Sequence, residues 1–91
     1  GEEGFISAIA AVNLHSMELV SRPEITARGF VEGDAVFDEI AAELTEALQK
    51  ALADGAEDTH ELQQLMRRRI GRWVSKTYRR RPMIVPVVIA T

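Results

Sequence analysis

Apolar positions recur along this chain in two rhythms, one of period two near both ends and one of period 3.6 in the middle. Residues 4–13, GFISAIAAVN, are apolar on both alternating sets, with Phe5, Ile9 and Ala11 on one and Ile6, Ala8, Ala10 and Val12 on the other. That double alternation predicts a strand covered on both faces. Residues 14–17, LHSM, suit a hairpin connection, and the return strand is expected over residues 18–31. Pro23 cannot donate to a ladder, and Gly29 marks either a bulge or the strand's exit, so this second strand should be irregular and at an edge.

The rhythm then changes. Gly33 and Asp34 open a helix that Asp34 can cap, with Asp38 and Glu39 complementing the positive end of its dipole. Phe37, Ile40, Ala41, Leu44, Ala47, Leu48, Ala51 and Leu52 recur every three or four residues, and Gly55 is a good stop. Asp58 with Glu61 resembles a capping box. From there Leu62, Leu65, Met66, Ile70, Trp73, Val74 and Thr77 make the stripe of a second helix. The link between the helices is short, so they should lie antiparallel.

A third strand is expected over residues 82–90, with Pro82 and Pro86 favouring an edge position. The proline-free first strand then sits at the centre. The expected fold is a single α+β domain: a three-stranded mixed sheet in chain order ββααβ and spatial order 2-1-3, with two antiparallel helices packed on one face. Two helices cover only one face, yet in the third strand Met83, Val85, Val87 and Ile89 alternate with the equally apolar Ile84, Val88 and Ala90. The uncovered face, with Val85, Val87 and Ile89 as its candidate residues, is expected to dock on another domain or subunit and to drive self-association. The plain alternative is that small exposed alanines cost little.

Charge divides the chain. All 14 acidic residues lie between Glu2 and Glu61, and eight of the 11 basic ones follow Glu61. The part up to Glu61 thus carries 14 acids against three bases, about −11, and the remainder about +8. On the second helix Arg68, Arg72, Lys76 and Arg79, at i, i+4, i+8 and i+11, fall within a wedge of roughly 80°. Such a row can meet RNA phosphates or a partner; a solvated helix face is the plain alternative. Tyr78 is the one aromatic there that could serve as a stacking platform. Arg69 points instead into the apolar stripe, where its charge needs a carboxylate or a partner surface. Glu39, Glu43 and Glu46 read as the solvated face of the first helix.

Nothing in the residues assembles a reaction. The two histidines, His15 and His60, belong to no ligand motif, the serines sit in no nucleophile elbow, and there is no glycine-rich phosphate loop. No catalytic, cofactor-binding or metal-binding residue is therefore assigned. Cysteine is absent, which suits a reducing compartment, and a cytoplasmic location is expected. The longest apolar run, residues 83–90, is far shorter than the ~20 residues of a membrane span, and the acidic start lacks a signal peptide's basic region, so no membrane partner is expected.

Two longer stretches carry a resemblance. RPEITARGFV at residues 22–31 and RRPMIVPVV at residues 80–88, separated by an acidic-apolar and a basic helix, resemble the C-terminal domain of ribonuclease J, of the metallo-β-lactamase and β-CASP nucleases. The resemblance covers nearly the whole chain. It implies a cytoplasmic parent hydrolase, a zinc-dependent endoribonuclease and 5′-to-3′ exoribonuclease of mRNA decay and rRNA maturation. Its catalytic domains, with their zinc-binding histidines, are absent from residues 1–91. By that resemblance the chain is a C-terminal accessory domain serving assembly, with the catalytic domains of the same polypeptide and a second copy as partners, and RNA reached through the parent enzyme. The runner-up is a free-standing nucleic-acid-binding module that uses the basic face of the second helix.

Overall fold

The computed structural model describes residues 4–29 and 34–91. Strand β1 (Phe5–Asn13) is central. It pairs antiparallel with β2 (Glu18–Leu19) through Val12 and Asn13, and antiparallel with β3 (Glu24–Arg28) through residues 5–9. It also runs parallel to β4 (Met83–Ala90), from Phe5 beside Met83 to Val12 beside Ala90. Because residues 5–9 pair with both β3 and β4, those two strands occupy opposite edges.

The sheet thus has four strands where three are expected from the sequence. The difference lies within the return strand, which breaks between β2 and β3. Val20 still donates its N–H to the Ala11 carbonyl at 2.8 Å, but the ladder resumes only at Glu24. Pro23 interrupts it because proline has no N–H to give. The break is tied down by Arg22, which donates to the Asp38 carbonyl at 3.0 Å and lies 3.7 Å from the Asp38 carboxylate. The strand also ends earlier than expected: β3 stops at Arg28, and Gly29 leaves the sheet at φ 94°. The expected continuation to Val31 lies outside the described residues, as does Gly33. The hairpin at 14–17 forms through Asn13, whose Oδ1 accepts the N–H groups of His15 at 2.8 Å and Ser16 at 3.0 Å. An Asx turn replaces the missing Asn-Gly signal.

A 3₁₀ turn, Asp34–Phe37, precedes α1 (Asp38–Ala53). This corrects the expected helix start: Phe37 occupies the N-cap position without a side-chain cap, and Asp38 and Glu39 supply the acidic first turn. At the other end Gly55 (φ 94°) closes a Schellman motif, with Ala56 N–H bonded to the Ala51 carbonyl and Gly55 N–H to that of Leu52. Asp58 caps α2 (Thr59–Tyr78) by accepting the Glu61 N–H at 2.9 Å. Glu61 Oε1 reaches back to the Glu57 N–H at 3.5 Å. The helices are antiparallel, since Phe37 meets Trp73 while Glu43 meets Arg69.

Both helices pack on one sheet face. Ile6, Ala8, Ala10 and Val12 of β1 are buried under Ile40, Leu44, Leu48 and Leu52 of α1 and Leu62, Met66, Ile70 and Val74 of α2. The alanines at 8 and 10 let the helices sit close to the central strand. Each large apolar side chain so buried contributes ~1.5–3 kcal/mol. Thr77, counted in the α2 stripe from its spacing, is exposed instead.

Candidate docking interface

The second sheet face is divided lengthwise. Its β3 side is polar, with Glu24, Thr26 and Arg28 exposed opposite Ile9, Ser7 and Phe5. Its β1–β4 side is an apolar strip in which Met83 is 59% exposed, Ile89 51%, Ile9 41% and Val85 38%, with Val87 partly covered between them. The parallel register holds these side chains side by side, Ser7 next to Val85, Ile9 next to Val87 and Ala11 next to Ile89. Val85, Val87 and Ile89 are therefore brought together on the face that the helices leave open. Ile9 and Met83 belong to the same strip; their sign in the sequence is their parity with Val85 and Val87.

The outer edge of β4 is partly closed by α2. Arg67 donates to the Ile84 carbonyl at 3.1 Å, and the Val88 N–H donates to Gln63 Oε1 at 3.1 Å. Between them Pro86 has no N–H. Gln63 and Arg67 are four residues apart on one helix face, a spacing that hid among the charged residues of the sequence. Such closure prevents open-ended pairing along an edge strand.

The basic row is only partly assembled. Arg68, Arg72 and Lys76 are exposed along α2. Arg79 lies past the last helical residue, in the left-handed conformation at φ 55°, so helical spacing does not align it with the others. The acidic face of α1 also comes close: Glu39 and Glu43 line one groove with Arg72 and Lys76. Arg69 finds its carboxylate in Glu43, 3.4 Å away, both side chains being part-buried. Glu43 is thus a bridge between the helices and not simply a solvated acid. Tyr78 stands edge-on to Trp73 with ring centroids 5.5 Å apart, half-buried at the core's rim, which removes it as a free stacking platform. Trp73 Nε1 is itself buried and has no hydrogen-bond partner among the described residues.

His15 and His60 are both exposed, on the hairpin turn and the first turn of α2. Among the described residues no three His, Asp or Glu side chains converge, so these residues do not fit a zinc site. No helix among them is long and apolar enough to cross a membrane.

Residues 1–91 match the family model described as the ribonuclease J C-terminal domain. Over 86 residues, 94% of the chain, it is 35% identical to ribonuclease J of Mycolicibacterium smegmatis. Identity to the Corynebacterium glutamicum ribonuclease J is 33% over 90 residues, 98% of the chain. For ribonuclease J 2 of Staphylococcus saprophyticus it is 30% over 90 residues, 96% of the chain. The chain spans only 12–16% of the length of these relatives. With the whole chain matched by one family model and with relatives at this identity, the chain belongs to the ribonuclease J C-terminal domain family.

Proposed function

We propose that this chain is the non-catalytic C-terminal module of a ribonuclease J, and that its apolar β1–β4 strip seats it against the catalytic part of that polypeptide and so supports assembly of the active oligomer. The observation that carries the reading is the strip itself, with Ile9, Met83, Val85 and Ile89 exposed around a partly covered Val87, in a domain whose other sheet face carries the core. Exposed apolar side chains scattered singly are ordinary, whereas a contiguous strip on a rigid sheet is the usual mark of a docking surface. The relatives' name, ribonuclease J, supports a parent enzyme that hydrolyses RNA; zinc held in its catalytic part and a cytoplasmic location follow from the family resemblance alone.

The test is Val87→Glu in a full-length ribonuclease J carrying this module. A buried unpaired carboxylate in a docked strip is costly. The expected result is a module released from the core, seen as faster limited proteolysis at the junction and a more extended scattering profile, with the module's own melting temperature within a few degrees of wild type. Unchanged proteolysis and scattering would refute the docking role.

The exposed cations Arg68, Arg72 and Lys76 favour a second reading, in which α2 holds RNA phosphates. The acidic side chains across the groove oppose it, so the effect should be modest. Replacing Arg68, Arg72, Lys76 and Arg79 with Gln in the full-length enzyme is expected to reduce the salt slope of single-strand binding by at most about three. An unchanged slope with intact assembly would eliminate this reading, and lost assembly would assign the row to a protein contact.

A further inference from the structure

The two long edges of the sheet are treated differently. On β4 the outward Ile84 carbonyl and Val88 N–H are met by Arg67 and Gln63, and Pro86 has no N–H to offer. On β3 the outward groups have no such partner among the described residues. Which groups face outward follows from the ladder's parity. β1 bonds β4 through its even-numbered residues, since Met83 donates to the Gly4 carbonyl and Thr91 to that of Val12. It bonds the return segment through its odd-numbered ones, as in Val20 N–H to the Ala11 carbonyl. Glu24, Thr26 and Arg28, opposite Ile9, Ser7 and Phe5, therefore turn their peptide groups inward. Ile25 and Ala27 turn theirs out, and no hydrogen bond reaches those four groups among the described residues.

The five residues of this edge are self-complementary when reversed. In Glu24-Ile25-Thr26-Ala27-Arg28, a two-fold axis at Thr26 sets Glu24 opposite Arg28 of the second copy, Ile25 opposite Ala27, and Thr26 opposite itself. Parity agrees with this pairing. The outward groups of Ile25 and Ala27 then form two hydrogen-bonded pairs, four N–H to carbonyl bonds in all, and the Thr26 and Glu24–Arg28 pairs fall at non-hydrogen-bonded positions, where side chains stand closest. A parallel arrangement would set Glu24 against Glu24 and Arg28 against Arg28. On the helix side, half-buried Ile25 would gain the cover of Ala27.

We propose that a second copy of this chain pairs antiparallel with β3 about Thr26, so that two sheets become one across an isologous two-fold contact, with each Glu24–Arg28 pair selecting the register. The proposal rests on the assembly reading above and names its contact; the apolar strip stays free for the catalytic part. An edge of five residues buries less than a standard interface, so the isolated contact should be weak and populated at concentrations on the order of 100 µM.

The chain has no cysteine, so single substitutions report cleanly. Across a non-hydrogen-bonded pair the Cα atoms stand ~4.5 Å apart, within disulfide range. Thr26→Cys, mildly oxidised with glutathione disulfide, is expected to give a covalent dimer, and Val87→Cys to give none. In sedimentation equilibrium Glu24→Arg should weaken the dimer roughly tenfold, by turning two attractive pairs into repulsive ones. Glu24→Arg with Arg28→Glu should restore it, with circular dichroism confirming that each variant is folded. Cross-linking through Val87→Cys and not Thr26→Cys, with a dimer indifferent to Glu24→Arg, would overturn the edge pairing while leaving assembly through the strip standing. A monomer that neither cysteine cross-links would overturn self-pairing altogether, and the Val87→Glu experiment would then decide the docking reading alone.

Discussion

Leu48→Ala is expected to remove ~2–5 kcal/mol of stability and to lower the melting temperature by on the order of 15 °C. Leu48 is fully buried in the middle of α1, one turn from Leu44 and Leu52, which are buried with it. Truncation leaves a cavity between the helix pair and the sheet, and the rigid β1 strand beneath cannot collapse into it without disturbing two ladders. A domain of this size has a total stability of about 5–15 kcal/mol, so the change takes a large share. Calorimetry of Leu48→Ala beside Gln49→Ala isolates the burial, because Gln49 is exposed on the same helix. Exposed substitutions of this kind change stability by ~0.5 kcal/mol or less. A loss under 1 kcal/mol at Leu48 would mean that the core repacks around the gap.

Gly29→Ala should destabilise by more than its one added methyl suggests. At φ 94° any side chain is strained, and a Cβ there would lie 2.9 Å from the Gly4 Cα, a backbone atom that cannot swing aside. Strain of this kind costs about 1–3 kcal/mol before the clash is counted. The clash also falls at a junction. Gly4 leads into β1, and its carbonyl accepts the Met83 N–H at 2.9 Å, the first bond tying β4 to the central strand. Displacing Gly4 should therefore open the β1–β4 ladder from that end, read as faster hydrogen exchange at Met83 than in the unsubstituted chain. Gly55→Ala is the matched control, with the same φ of 94° but no atom within 4 Å of the added Cβ. Equal losses at the two glycines would show that backbone conformation, and not the contact with Gly4, governs both.

The parts legible in the sequence are those whose cause is local. Helical spacing placed the buried stripes of α1 and α2 nearly residue by residue, because a 3.6-residue period leaves one face to turn toward any core. The Asp58 cap and the Gly55 stop were equally readable, since each involves groups within a few residues. Proline content put β1 at the centre, apolar alternation put Val85, Val87 and Ile89 on one parity of β4, and the resemblance of residues 22–31 and 80–88 named the family to which the chain belongs.

Tertiary structure decided what depends on partners far apart in the chain. It anchored the break that Pro23 makes in the return strand on Asp38, through an Arg22 contact of 16 residues' separation. It drew Glu43 out of the solvated face to meet Arg69 across the helix pair, and set Tyr78 against Trp73. It also set Arg67 on the Ile84 carbonyl and Gln63 on the Val88 N–H at the β4 edge, while among the described residues the outward groups of Ile25 and Ala27 on β3 have no such partner. Period and propensity report which way a side chain faces on its own element. Which edge a neighbouring helix covers is set by how the elements pack, and that packing leaves no periodic trace in the order of residues.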